Sequence, residues 1–261
     1  MSVRRLDTVV AQRAGITRSQ ARALIMEGRV RLDGVPATKA GQIVREGARL
    51  DVEQPRRFVS RGGEKLDAAL AAFSLDVRGA HALDVGASTG GFTDALLQHG
   101  AAHVTALDVG YGQLDWRLRN DERVTVIERT NFRRLPADAF PEGFDLIAID
   151  TSFISLRTIL ARADAYLRQA GAIVALVKPQ FEAGRERLGP KGVVRDAAVH
   201  RQVLAEVSEA ALALGLVPVR VIASPLRGPA GNREFLMELR REGAPIAPRR
   251  IAEVVAEGSP P

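Results

Sequence analysis

The stretch from Ala82 to Asp94, ALDVGASTGGFTD, restricts this chain to few folds. A short apolar strand, Ala82-Leu83, ends on Asp84-Val85-Gly86. Ser88-Thr89-Gly90-Gly91 follow, and a helical pattern then runs from Phe92 through Leu96-Leu97. A strand that turns through glycines into a helix is the first strand–helix unit of a nucleotide-binding α/β domain. Gly86 permits a tight turn, and Gly90 and Gly91 let backbone come close to a ligand. The dinucleotide fingerprint would need glycine at Ser88. An acid inside the strand end, Asp84, repels a pyrophosphate but suits a ligand with a positive ammonium or sulfonium. That points to S-adenosylmethionine (SAM), with Asp84, Gly86, Ser88, Thr89 and Gly90 as expected contacts. Read alone, the stretch also fits a tight structural turn that binds nothing.

Past residue 80 the pattern alternates strands and helices, the signature of a parallel sheet. Strands are expected at 81–85, 104–107, 124–127, 144–149 and 172–177, with helices at 92–99, 155–168 and 196–214. Two last strands, 217–223 and 234–240, are separated only by the turn-rich Ser224 to Asn232. That gap is too short for a crossover helix, so the two must pair antiparallel. A reversed last strand is typical of Rossmann-like methyltransferases. The expected large domain, residues 60–261, is therefore an α/β SAM-dependent methyltransferase sheet with an antiparallel last strand. A length of 261 residues fits one large domain or two unequal ones.

The small domain shows in the charge. Residues 1–57 hold 12 Lys and Arg against 6 Asp and Glu, while the rest of the chain holds 25 of each, so the net charge of +6 sits wholly in the first fifth. Such a segment reads as a nucleic-acid-binding module. Helices are expected at 4–14, stopped by Gly15, and at 18–27, with Ser19 as N-cap and Gly28 as terminator. Val30-Arg31-Leu32 is a strand and Asp33-Gly34 a hairpin turn. Val44, Gly47, Leu50 and Val52 suggest another small strand pair. Arg18, Arg22, Arg29 and Arg31 would lie along one face and track a phosphate backbone. Arg4, Arg5 and, past the linker, Arg61 complete the expected RNA contacts. The run RLDTVVAQRAGITRSQARALIMEGRVRLDG resembles the αL RNA-binding fold of a small-subunit ribosomal protein and many pseudouridine synthases, through Ser19, Ala23, Leu24, Ile25, Gly28, Val30 and Gly34. The expected α+β RNA-binding domain spans 1–55, and 56–59 form a linker.

Polar residues at the strand ends carry the chemistry. Asp108 ends the second strand, where an acid accepts hydrogen bonds from ribose hydroxyls. Asn131, after the third strand, is either an adenine contact or an ordinary loop residue. Asp150 and Lys178 end the fourth and fifth strands. Glu234 starts the reversed strand and so reaches the same rim, as does Lys65 from the helix before the first strand. Lys65, Asp150, Lys178 and Glu234 form a set with no net charge. It suits methyl transfer to a ribose 2′-hydroxyl, a poor nucleophile that needs a positioned base or cation. Lys178 would deprotonate or orient it, with Lys65 as second cation and the acids holding both. Asp150 also lies near the methionine end of SAM. Residues 180–195, with Arg185, Arg187, Lys191 and Arg195, are expected to form a mobile loop over RNA or cofactor, or a plain solvated one.

Nearly the whole chain resembles the TlyA family of bacterial rRNA cytidine 2′-O-methyltransferases, once labelled haemolysins, whose catalytic domain is of the FtsJ type. SRGGEKL, LDVGASTGGFTD, LDVGYGQL, IDTSFISL, LVKPQFE and SPLRGPAGNREF carry the resemblance. It implies that Lys65, Asp150, Lys178 and Glu234 are the catalytic tetrad, that the cofactor is SAM and that the substrate is ribosomal RNA within ribosomal subunits. The family linker reads Arg-x-Trp-Val, and here Phe58 stands for the Trp. Two rivals remain: a membrane-active haemolysin and a non-catalytic RNA-binding assembly factor. Cysteine is absent. The four histidines form no ligand-spaced cluster, so no metal is expected. No apolar run is long enough for a membrane span and no signal peptide is evident, so a cytoplasmic location is expected.

Overall fold

The computed structural model describes residues 4–26, 28–45, 47–53 and 57–257. The chain divides into two compact units, Met1–Arg57 and Phe58–Pro261. Pro55, the last residue of the expected first domain, Arg56 of the expected linker, and Glu27 at the end of the expected second helix lie outside the described residues.

In the first unit, β1 (Arg4–Arg5) leads into α1 (Leu6–Ala14), α2 (Arg18–Met26), β2 (Val30–Leu32), β3 (Val35–Pro36), β4 (Ile43–Val44) and β5 (Leu50–Val52). Arg4 and Arg5 are not helical as expected; they pair with Val44 and Ile43. Gly15 ends α1 with φ 67°. Ser19 lies inside α2 rather than capping it. Thr17 takes that place: Gln20 Oε1 accepts from the Thr17 amide and the Gln20 amide donates to the Thr17 hydroxyl, a reciprocal capping box. Asp33 and Gly34 both have positive φ in the two-residue β2–β3 turn, as a tight hairpin of this hand requires. β4 and β5 do not pair with each other; β4 joins β1 and β5 joins β2. Leu6, Val10, Ala21, Leu24, Ile25 and Val30 form the core.

The second unit opens with α3 (Arg61–Ala72). There follow β6 (His81–Val85), α4 (Gly91–Gln98), β7 (His103–Leu107), α5 (Trp116–Arg119), β8 (Val124–Ile127), β9 (Phe144–Ile149), α6 (Leu156–Ala163), β10 (Leu167–Val177), α7 (Pro179–Glu182), α8 (Ala197–Ala213), β11 (Val217–Ala223), β12 (Phe235–Arg240) and α9 (Pro248–Ala256). Seven strands form one sheet in the order β11-β12-β10-β9-β6-β7-β8. β12 runs antiparallel to both its neighbours, β10 and β11, while β10, β9, β6, β7 and β8 are parallel. Alternate residues feed two cores, Leu83, Ile147 and Ile173 into one and Ala82, Ala148 and Val174 into the other. Both faces are therefore covered, as a parallel sheet needs.

Two local readings are corrected here. The helix expected to reach residue 168 stops at Ala163. Asp164–Tyr166 form a 3-10 turn, and Leu167 already pairs with Phe144 in the sheet. Tyr166 is fully buried and its hydroxyl donates to the Pro136 carbonyl at 2.6 Å, which stops the helix from running on. α9 had no counterpart in the sequence reading; it buries Ile251, Val254 and Val255.

Candidate active site

The parallel order puts the carboxyl ends of β6, β7, β9 and β10 on one rim, and the reversal of β12 brings its start there too. Ligands of open α/β sheets bind at this rim.

The loop after β6 is shaped by its glycines. Gly86 has φ 88°, and a Cβ there would stand 2.6 Å from the Asp150 carbonyl oxygen. That glycine lets the ends of β6 and β9 meet. Gly90 has φ 93°, and a Cβ would stand 2.3 Å from Leu118 Cδ1; at Gly91 it would stand 2.3 Å from Ser60 Oγ. The last two glycines therefore also allow close packing against α5 and the start of α3. Ser88 carries a positive φ of 49° without being glycine, a mildly strained backbone.

Two adjoining cavities open on this loop. One of about 490 Å³ is lined by Gly86, Ser88, Asp108, Asn131, Asp150 and Phe153, among others. A smaller one of about 120 Å³ is lined by Lys65, Gly86, Ser88, Thr89, Gly91 and Asp150. They share Gly86, Ser88 and Asp150. The larger volume lies in the range of ligand pockets.

Asp108 accepts from the Ser88 amide at 2.8 Å and from the Gly110 amide at 2.6 Å. A carboxylate has about four acceptor positions, so capacity remains for hydroxyl donors. Asn131 Oδ1 caps the turn 132–134 through the Arg133 amide, which leaves its amide N–H groups for a ligand. Asp84, expected to face the ligand, is completely buried and lines neither cavity. Its Oδ2 accepts from the Thr93 amide and hydroxyl at the start of α4, while Oδ1 has no hydrogen-bond partner. Burial pushes its pKa up to about 7; the Thr93 bonds oppose this, and the negative charges of Asp150 and Asp108 add to it. Asp84 is a buried brace under the loop.

The four rim residues resolve into two ion pairs. Lys65 Nζ lies 2.5 Å from Glu234 Oε2, with both side chains nearly enclosed. Lys178 Nζ lies 2.5 Å from Asp150 Oδ1, and donates to the Thr151 carbonyl at 3.0 Å and the Ser152 hydroxyl at 2.9 Å. The Asp150 contact is an ion pair. Charges this enclosed are tolerated because each has its counterion. Ser60 caps α3 by accepting from the Gly62 amide, which fixes the helix that carries Lys65. Gly63 follows from the linker: a Cβ there would stand 2.3 Å from Phe58 Cγ, and Phe58 is buried in the core of the second unit. Arg61 donates to the Arg227 carbonyl at 2.7 Å and so ties α3 to the loop that leads to Glu234.

Several contributors escaped sequence reasoning. Ser152 belongs to the Lys178 pocket. Phe153, 91% exposed with φ 62°, leans on Phe181 at a centroid separation of 5.1 Å. Glu182 caps α6 by accepting from the Leu156 amide and the Ser155 hydroxyl. Asn232 clamps the 183–195 segment by accepting from the Val194 amide and donating to the Gly192 carbonyl. Residues 180–195, expected to form a mobile loop or a plain solvated one, bury Val193 and Val194 and hold two 3-10 turns. Only the positive φ of Phe153 lacks any signal in the sequence; the others are polar residues beside motifs already singled out.

In the first unit the expected RNA-contacting arginines have partners within the unit. Arg5, Arg18 and Arg22 converge on the buried Asp7. Arg4 donates to Gln12, Arg29 pairs with Glu53 at 3.7 Å, and Arg31 donates to the Gly34 carbonyl.

Residues 58–241 match the FtsJ-like methyltransferase family, and residues 4–50 match the S4 domain. The chain is 48% identical to the 16S/23S rRNA (cytidine-2′-O)-methyltransferase TlyA of Mycobacterium tuberculosis over 91% of this chain and 90% of that one. It is 38% identical to Hemolysin A of Brachyspira hyodysenteriae over 84% of this chain and 92% of that one. A solved structure of a hemolysin-named protein from Streptococcus thermophilus superposes with a TM-score of 0.76 at 43% identity, covering 98% of this chain and 96% of that one.

Proposed function

The chain belongs to the FtsJ-like methyltransferase family, in its TlyA branch with an S4 domain ahead of the catalytic one, and from that premise we propose that it transfers the methyl group of SAM to the ribose 2′-hydroxyl of a cytidine in ribosomal RNA. The cytidines of 16S and 23S RNA are both within this reading, as in the name of the Mycobacterium tuberculosis relative. The observation that carries it is the pair of lysine–carboxylate bridges, Lys65–Glu234 and Lys178–Asp150, beside the Gly86–Ser88 loop.

The residues present fit SAM. Asp108 retains acceptor positions for ribose hydroxyls, Asn131 offers amide donors toward the adenine, and Asp150 lines both cavities and so stands near the methionine end. Bound there, SAM supplies an electrophilic methyl on a sulfonium and needs no metal. The protein must then make a weak nucleophile competent. As the ribose oxygen bonded the methyl carbon, the carbon–sulfur bond would break, its electron pair leaving on a neutral thioether, and the hydroxyl would give up its proton. Lys178 would orient the hydroxyl as the ammonium paired with Asp150, or accept its proton once its own has passed to solvent, and Lys65 supplies a positive charge that favours the developing alkoxide. Asp150 and Glu234 fix the two side chains, so little reorganisation is left for the reacting step. The S4 unit, with its surplus of arginines, supplies the grip on ribosomal RNA. The reaction belongs in the cytoplasm, where ribosomal subunits are found. Among the described residues no helix is long and apolar enough to cross a membrane.

Mapping 2′-O-methyl positions in ribosomal RNA from cells with and without this protein tests the reading. At least one cytidine is expected to lose its mark when the protein is absent; an unchanged map overturns the proposal.

A further inference from the structure

Asp7 is the least expected residue of the S4 unit. It sits in the first turn of α1 with no exposure at all, in a segment otherwise rich in positive charge. Three guanidinium groups from two places in the chain meet on it. Arg5 grips it with two hydrogen bonds, Nε to Oδ1 at 3.1 Å and Nη2 to Oδ2 at 3.0 Å. Arg18 Nε lies 3.1 Å from Oδ2, and Arg22 Nε donates to Oδ2 at 3.2 Å. One guanidinium would neutralise the carboxylate; three leave the cluster at +2. The arginine side chains are 46%, 52% and 53% exposed. A guanidinium has five N–H donors in a rigid plane, so an arginine held by Nε still presents its Nη groups for another acceptor. The hydrogen bonds from Arg5, then those from Arg18 and Arg22, hold the Asp7 carboxyl well below the usual carboxylate range, so it stays charged throughout the neutral region.

We propose that Asp7 is a positioning residue that converts Arg5, Arg18 and Arg22 into a single preorganised site for an RNA phosphate. The inference rests on the RNA reading above and goes beyond it. That reading needs only positive charge, whereas this one needs a negative charge at the centre of the cluster. Flexible arginines lose rotamer freedom when they bind a phosphate, and a fixed carboxylate removes that cost beforehand. The guanidinium planes are then set for forked recognition of phosphate oxygens.

Charge and preorganisation give opposite signs for one substitution. Asp7→Asn raises the net charge of the cluster by one, so charge alone tightens RNA binding. The proposal instead requires weaker binding, about tenfold in Kd. The measurement is filter binding of the full chain to purified 16S and 23S rRNA at several salt concentrations. Arg5→Lys/Arg18→Lys/Arg22→Lys keeps every charge on half-exposed positions. In that background no guanidinium is left for Asp7 to hold in plane, and adding Asp7→Asn should leave Kd unchanged or lower it. The expected result is a loss in the native background that vanishes or reverses in the triple-lysine one, with a flatter salt dependence in the first case only. Unchanged or tighter binding by Asp7→Asn alone overturns the proposal. So does an equal loss in both backgrounds, which would mean that Asp7 only keeps the unit folded. Should the unaltered chain show no salt-dependent binding to rRNA, the RNA reading falls and this proposal with it.

Discussion

Lys65 and Glu234 are 169 positions apart in the chain, yet Lys65 Nζ and Glu234 Oε2 meet at 2.5 Å within the rim. The contact closes the sheet region functionally: the helix before the first strand is bonded to the start of the reversed last one. Side-chain exposures of 10% and 2% leave either charge stranded if its partner is removed. Glu234→Ala is expected to destabilise the protein by about 3 kcal/mol, the usual result of orphaning one member of a buried pair. Lys65→Met/Glu234→Leu should recover most of that while remaining inactive. Denaturant titration of the three proteins checks this; equal stability of Glu234→Ala and the native chain would contradict it.

Lys178 separates chemistry from cofactor binding. Its Nζ is held by Asp150, the Thr151 carbonyl and the Ser152 hydroxyl. Lys178→Ala is expected to abolish methyl transfer and to leave SAM affinity nearly intact. Calorimetry with SAM beside a transfer assay checks it. Equal loss of both would mean that the lysine only supports the pocket.

Asp108 should do the reverse. It already holds the Ser88 and Gly110 amides, so its loss removes ribose acceptors and loosens the loop. Asp108→Ala is expected to cost about 1.5–3 kcal/mol of SAM binding, the range for bonds to a charged acceptor. Unchanged affinity by calorimetry would refute the placement.

Two glycines with similar backbone angles give a matched comparison. Gly86 (φ 88°) would place a Cβ 2.6 Å from the Asp150 carbonyl oxygen, whereas Gly112 (φ 70°) has nothing within 4 Å. Alanine at Gly112 is expected to cost only the left-handed strain, about 1–2 kcal/mol. Gly86→Ala must also push the end of β9, so its loss of melting temperature should be larger and transfer should fail with it. Equal melting temperatures would show that the two strand ends are not locked together.

Asp84 sets a pH dependence. Its carboxyl is raised by burial to about 7 from an ordinary 3.8. Between those values the unfolded chain has released this proton and the folded one retains it, so this group makes stability fall as pH rises from about 4 to 7. Asp84→Asn preserves an acceptor for Thr93 and removes the titration. Relative to the native chain, its melting temperature should therefore rise on going from pH 5 to pH 8, by more than about 2 °C. A constant difference across that range would contradict the burial account.

Much of this molecule is legible before folding, for definite physical reasons. Apolar runs that stop on Asp108, Asp150 and Lys178 mark strand ends, because a charge cannot continue into a two-sided core. The gap from Ser224 to Asn232 is too short for a crossover, which fixes the antiparallel pairing of β11 with β12. The neutral set of two lysines and two acids was visible, but which lysine meets which acid depends on register across the sheet. Local competition hid other features. Leu167 is as good a helix residue as a strand residue, and its pairing with Phe144 decides the matter. The close approach of Leu118 to Gly90 and of Ser60 to Gly91 is a second demand for glycine that depends on packing across the chain. Asp84 reads as a ligand acid because sequence does not reveal that a strand end is roofed by the helix after it. Asp7 carries no signal in the sequence, because its partners lie at positions 5, 18 and 22 and only packing of α1 on α2 brings them together.

The most direct measurement is transfer of label from methyl-labelled SAM to ribosomal subunits, followed by nucleoside analysis of the recovered RNA. Label in 2′-O-methylcytidine, present with the native chain and absent with Lys178→Ala, is the expected result. Label in no ribosomal RNA, or label on a base instead of a ribose, would contradict the account.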